Sequence, residues 1–145
     1  MRILALDVGD RRIGLATSDA SGLLASPLHI IEYSDRAAAC REIEAIAREK
    51  AAQKIIVGLP LSMSGEDSEQ TIKTREFADV LAEYVNVPLV FCDERLSTVT
   101  AANLRSEVKT SRKKARLHLD AMAAAVILQS YLDGEVTGTP RSTTD

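Results

Sequence analysis

Soft metal ligands and groups that titrate near neutral pH are scarce in this chain. Its 145 residues include two cysteines, Cys40 and Cys92, and two histidines, His29 and His118. The cysteines lack metal-ligand spacing. One falls on an apolar helix face and the other in an apolar strand, so both read as free thiols packed in a core. His29 falls in a strand pattern and reads as structural. His118 is open to two readings, a solvated side chain or a general acid or phosphate contact. The chain also lacks a nucleophile elbow and a Walker loop. No apolar run approaches the length of a membrane span. Met1-Arg2 leads straight into a strand pattern with no signal-peptide features, which together with the free thiols points to the cytoplasm and away from a membrane partner. No internal repeat or linker interrupts the sequence.

What is present suits one globular domain with a sizeable core, since 46% of residues are hydrophobic and 27% charged. The net charge of −3 argues weakly against a nucleic-acid partner. Its distribution argues the other way. Lys109, Arg112, Lys113, Lys114 and Arg116 crowd into one stretch, with no acid from Val108 to Leu119. Arg11 and Arg12 add two more cations after the first strand. Setting those seven aside leaves 11 of the 18 basic residues against 21 acidic ones. Concentrated positive charge is what a phosphate-binding surface requires, although a solvated basic loop has the same composition.

The opening stretch organises the rest. Ile3 to Leu6 is an unbroken apolar run, as in a strand buried on both faces. Asp7 interrupts it, and a carboxylate there must be met by a metal ion, an arginine or backbone N–H groups. The residues themselves leave that choice open. Gly9 permits a tight turn, and Ile13, Leu15 and Thr17 alternate as a second strand. Ala25–Ile31 reads as a third strand, placed at an edge by Pro27. A helix over Arg36–Lys50 follows, then a short apolar strand, Lys54–Gly58, in a context that favours parallel pairing with the first. After a loop to Asp67, the pattern predicts a helix over Glu69–Tyr84 and a fifth strand over Val87–Cys92. Ser97 or Thr98 then caps a further helix. The basic stretch follows as a loop, and a last, strongly apolar helix starts near Asp120 and stops by Gly134. The expected fold is α/β, a five-stranded mixed sheet in the order 3-2-1-4-5 with about four helices. Residues 1–133 form the domain, and 134–145 are expected to be a disordered tail.

Three carboxylates, Asp7, Glu94 and Asp120, each stand where an apolar element begins or ends. In a sheet of that order, with the last helix against it, the three could converge. Three acids in a partly buried cleft repel one another unless a divalent cation neutralises them, and Mg²⁺ or Mn²⁺ suits an all-oxygen site. Two such ions would support phosphodiester hydrolysis.

The ordered motifs resemble the YqgF nuclease family, also known as pre-ribosomal-RNA nucleases or RuvX-type Holliday junction resolvases, which have the RNase H-like fold. The resemblance rests on Leu6-Asp7-Val8-Gly9 with Arg12-Ile13-Gly14, then Val57-Gly58-Leu59-Pro60-Leu61 and Thr74-Arg75-Glu76-Phe77-Ala78. It continues through Asp93-Glu94-Arg95-Leu96-Ser97-Thr98 to Asp120, Ala123-Ala124 and Ile127-Leu128-Gln129-Ser130-Tyr131-Leu132. It covers Met1 to Asp133. The family's active-site acids fall on Asp7, Glu94 and Asp120, which would be both catalytic and metal-binding. Arg11, Arg12, Thr98, Lys113, Lys114 and Arg116 are the candidate substrate contacts. RuvC-type resolvases and RNase H carry their second carboxylate on the fourth strand. Here that strand ends in Gly58-Leu59-Pro60, and the acid comes one strand later. The resemblance implies a metal-dependent nuclease that matures the 5′ end of the small-subunit ribosomal RNA precursor. Resolution of branched DNA is the alternative, and would favour a two-fold homodimer over a monomer. An actin-like ATPase also opens with Asp-x-Gly, but it needs two such domains around its nucleotide. A non-catalytic nucleic-acid-binding module would gain nothing from three acids that repel phosphate.

Overall fold

The computed structural model of the chain describes residues 1–60, 68–93, 112–134 and 138–140, with 112–120 and 138–140 described in backbone alone. Its strands are β1 (Ile3–Val8), β2 (Arg12–Ser18), β3 (Ala25–Glu32), β4 (Lys54–Leu59), β5 (Leu89–Asp93) and β6 (Gly138–Pro140). Its helices are α1 (Arg36–Glu49), α2 (Glu69–Leu81) and α3 (Arg112–Leu132). The sheet runs β3-β2-β1-β4-β5-β6. β1, β2 and β3 form an antiparallel meander, and β4 pairs parallel to β1 and to β5. The expected order 3-2-1-4-5 holds, and Pro27 does lie on the edge strand.

Strand alternation sorts the core into two layers. Leu4, Leu6, Val8, Ile13, Leu15, Ile55 and Val57 pack with Cys40, Ile43, Phe77 and Leu81 beneath α1 and α2. Ile3, Ala5, Ala16, Ile56 and Cys92 pack with Ala124, Ile127 and Leu128 of α3 on the other face. Each large side chain fully buried this way contributes roughly 1.5–3 kcal/mol, which is why β1 and β4 read as continuous apolar runs. Cys40 and Cys92 are both buried thiols in these layers, as their apolar neighbours predicted. His29 reaches Glu42 of α1 at 3.3 Å, a structural contact between β3 and the helix.

The structure departs from the sequence reading at four places. First, α3 begins at Arg112, not near Asp120. Arg112, Lys113, Lys114 and Arg116 therefore lie in its first two turns, not in a loop. Lys, Arg, Ala and Leu are good helix formers, and no Gly or Pro stands between Arg112 and Asp133 to stop the helix. Second, α2 ends at Leu81, three residues before Tyr84. The chain tightens there into i→i−3 bonds, Glu83 N to Val80 O at 3.0 Å and Tyr84 N to Leu81 O at 2.8 Å. Third, Gly138–Pro140 of the expected tail pairs with Val90–Cys92 as β6. The outer edge of β5 presents unpaired backbone groups that such a strand satisfies, and Pro140 sits at its end. Fourth, three helices stand among the described residues against about four expected. The helix expected after Ser97 or Thr98 lies outside the described residues, as does the loop from Leu61 to Asp67.

Candidate active site

Asp7 lies on the face of β1 that α3 covers, because it follows Ile3 and Ala5 at two-residue steps. It is half-buried, in a strand otherwise buried throughout. Gly14 stands directly opposite it on β2. On β4, Gly58 follows the Leu6–Val57 pair and so occupies Asp7's level. Neither neighbouring strand sends a side chain over the carboxylate. Cys92 continues the same row one strand further out, paired with Gly58 and fully buried.

The level of α3 on the sheet is set at its far end. Tyr131 accepts a 2.9 Å hydrogen bond from Lys54 Nζ, and Lys54 pairs with Ile3 at the start of β1. Gln129 adds a second brace, accepting from Ala25 N at 2.9 Å and donating to Leu23 O at 3.0 Å. From Ile3 to Asp7 the strand climbs about 13 Å, and from Tyr131 back to position 120 the helix climbs about 16 Å. Position 120 is also one turn before Ala124, on the stripe with Ile127 and Leu128 that meets the sheet. The backbone thus brings positions 7 and 120 to one end of one face. Glu94 lies outside the described residues. Asp93, its neighbour, closes β5 with the parity of Leu89 and Phe91, the side of α1 and α2, and so faces away from Asp7. Among the described residues no three His, Cys, Asp or Glu side chains form a cluster able to hold a metal ion.

Arg12 opens β2 with the parity of Gly14 and so belongs to the Asp7 face. Arg11 is exposed in the turn before it, and its carbonyl accepts from Tyr33 N at 2.9 Å. The turn is rigid. Gly9 N donates to Arg12 O at 2.8 Å, and a Cβ at Gly9 would stand 2.9 Å from that same oxygen. Tyr33 Oη donates to Gly9 O at 2.8 Å, and Gln70 Nε2 to Val8 O at 3.1 Å. Ser68 and Thr71 form a capping box at the start of α2, and Thr71 Oγ1 donates to Pro60 O at 2.6 Å. That contact ties the helix to the end of β4. Thr98 and Lys109 lie outside the described residues. Lys113, Lys114 and Arg116 are placed by backbone in the first two turns of α3, in the same half of the helix as position 120, and its first turn has no acidic residue.

Sequence reasoning did not find Tyr33, Gln70 and Lys73, which surround the end of β1 on its other face. Only one signal was available for that face. Arg36 opens a helix whose first turn has no acid, where the helix dipole disfavours a cation.

A model of the family described as "RuvX: Holliday junction resolvase" matches residues 1–134. A protein of Roseiflexus sp. (strain RS-1), named "Putative pre-16S rRNA nuclease", is 40% identical over 134 residues, 92% of this chain and 95% of that protein. One of the same name from Clostridium botulinum (strain Hall) is 41% identical over 133 residues, 92% of this chain and 97% of that one. Among solved structures, Thermus thermophilus RuvC in complex with a Holliday junction substrate superposes with a TM-score of 0.63 at 15% identity, covering 97% of this chain and 99% of that one. The fowlpox virus resolvase bound to junction DNA gives a TM-score of 0.55 at 13% identity, covering 93% and 99%. At such identities these two establish the RNase H-like fold alone.

Proposed function

Since this chain belongs to the RuvX family, we propose that it is a metal-dependent nuclease that trims the 5′ end of precursor 16S ribosomal RNA. The observation that supports the proposal is that Asp7 lies on the sheet face that α3 covers, with position 120 one turn before Ala124 on the stripe of α3 that packs there. Glu94 completes the set. Asp93 has the parity opposite to that of Cys92 and Asp7, which supports the choice of Glu94, made on the resemblance, over Asp93.

The donors assigned to the site are carboxylate oxygens, and the one thiol in the row, Cys92, is packed away in the core. Such a set fits a hard cation, Mg²⁺ or Mn²⁺, and Asp7, Glu94 and Asp120 would hold two. When bound, the ions supply an activated water and charge neutralisation for phosphodiester hydrolysis. The chain's own residues do the positioning. Asp7 is fixed by a strand paired on both sides. Arg12, on its face, and Arg11, in the turn, are assigned to substrate phosphates, with Thr98. Lys113, Lys114 and Arg116 bring positive charge to the N-terminal end of α3, and a helix N-terminus favours an anion. The buried thiols suit a reducing, cytoplasmic setting.

RNA is preferred to branched DNA because the relatives near 40% identity carry the ribosomal RNA name, whereas the junction-bound structures share only the fold. The test is cleavage of a precursor RNA carrying its 5′ extension against a four-way DNA junction, each with Mg²⁺ and with EDTA. Mg²⁺-dependent trimming of the RNA alone is expected. Junction cleavage without RNA cleavage would transfer the assignment to resolution. Inertness on both would overturn the nuclease reading.

A further inference from the structure

On the face of β1 opposite Asp7 there is a cleft of about 420 Å³, within the size range of small-ligand sites. The β1–β2 turn, the start of α1 and the first turns of α2 wall it. Val8 lines it and Asp7 faces the other way, so the cleft and the candidate active site sit back to back at the end of one strand.

Its walls are held in place. The bonds from Tyr33 and Gln70 to the Gly9 and Val8 carbonyls join the three segments. Lys73 stands 3.6 Å from Asp10 and 3.6 Å from Glu69, so its charge is already shared by two acids. Arg36 differs. It is exposed, it lines the cleft, and among the described residues its side chain makes no ion pair or hydrogen bond. At the first turn of α1 it also stands where the helix dipole disfavours it. A cation that stabilises neither a partner nor its helix is suited to an external anion.

The cleft is also aromatic, in a chain with only two Phe and three Tyr. The Tyr33 ring packs against Phe77, centroids 6.0 Å apart and tilted by 59°, and both line the space. Glu76 adds an acceptor. An aromatic platform, an uncommitted guanidinium and a carboxylate acceptor match a nucleotide's base, phosphate and donor groups. Protein sites for single strands combine the same parts.

We propose that this cleft takes one nucleotide of the substrate strand, with the base against Tyr33, the phosphate on Arg36 and a base amino or ribose hydroxyl donating to Glu76. This rests on the nuclease reading and deepens it. A strand crossing the β1–β2 turn would reach the cleft on one side and the carboxylates on the other.

The experiment is amide NMR of the full chain in EDTA, which removes any metal contribution, titrated with a short single-stranded RNA and separately with a nucleoside monophosphate. The oligonucleotide should shift Gly9, Tyr33, Arg36 and Lys73. Arg36→Ala, a change at an exposed position, should weaken its binding by about tenfold, as should loss of the ring in Tyr33→Ala. If Tyr33→Ala does not fold, Arg36→Ala and the amide shifts at Gly9, Tyr33 and Lys73 carry the test. Unchanged shifts in the cleft, or equal affinity in Arg36→Ala, would overturn the subsite while RNA cleavage by the wild type leaves the nuclease reading standing. A free monophosphate binding as tightly as the oligonucleotide would also overturn it, in favour of a small ligand. A protein that neither binds nor cleaves nucleic acid would fail the nuclease reading itself.

Discussion

Lys54 Nζ donates to the Tyr131 hydroxyl at 2.9 Å and stands over its ring, 5.4 Å from the centroid. This contact at the foot of the sheet fixes how high α3 reaches at the other end. Through it, position 120 comes level with Asp7.

The adjacent acids Asp93 and Glu94 separate the readings of the second carboxylate. Asp93 ends β5 on the side of α1 and α2. Asp93→Asn should retain activity, and Glu94→Gln should lose it by a factor of 100 or so, about the effect of removing one group that acts in the transition state. Steady-state cleavage of one RNA substrate by both variants decides. The reverse pattern would move the site to Asp93.

Lys113 and Lys114 lie in the first turn of α3, where a cation is opposed by the helix dipole. Replacing both with Ala should weaken RNA binding to all sequences about equally and reduce the salt slope by up to ~2. The measurement is affinity against salt with Ca²⁺ blocking turnover. An unchanged slope would make the stretch a solvated helix end.

Much of the fold was legible because its signals are local. Buried runs gave β1 and β4, Pro27 gave the edge, and the strand-helix-strand spacing gave the parallel pair. The start of α3 was hidden because charge and helix propensity point in different directions over Arg112–Arg116, and propensity prevailed. The pairing of Gly138–Pro140 was hidden because a three-residue strand has no period to read. At the site, Asp7 was visible as a charge in an apolar strand. Tyr33, Gln70 and Lys73 were not, since their roles come from three segments meeting in space.

The end of α1 holds a stability gain. Ala51 adopts φ 54°, and the N–H groups of Ala51 and Ala52 bond Arg48 O at 3.1 Å and Ala47 O at 2.9 Å, closing a Schellman motif without its usual glycine. Ala51→Gly should raise the unfolding free energy by about 1 kcal/mol, less the added freedom of the unfolded chain. Urea unfolding measures it, and a loss of stability would contradict the strain.

Burial raises the Cys40 thiol from its ordinary 9.0 to about 11, with Arg36 and Arg41 pulling it down. Below pH 9 the thiol is protonated in folded and unfolded chains alike, so its contribution is intact. Between pH 9 and 11 the unfolded chain gives up the proton and the folded chain keeps it, so stability falls as pH rises, by about 2 kcal/mol at the upper end. Compared between pH 8 and 10.5, Cys40→Ala should lose less stability than the wild type. Equal losses would contradict the shift.

The central claim is that Asp7 anchors a metal site shared with Glu94 and Asp120. Calorimetric titration with Mn²⁺, paired with RNA turnover, tests it on the wild type and on Asp7→Asn. The wild type should bind the ion and cleave. Asp7→Asn should lose both, with a metal-free melting temperature equal to or above that of the wild type, because carboxylate repulsion is relieved. An Asp7→Asn protein that binds Mn²⁺ and turns over RNA at the wild-type rate would contradict the claim.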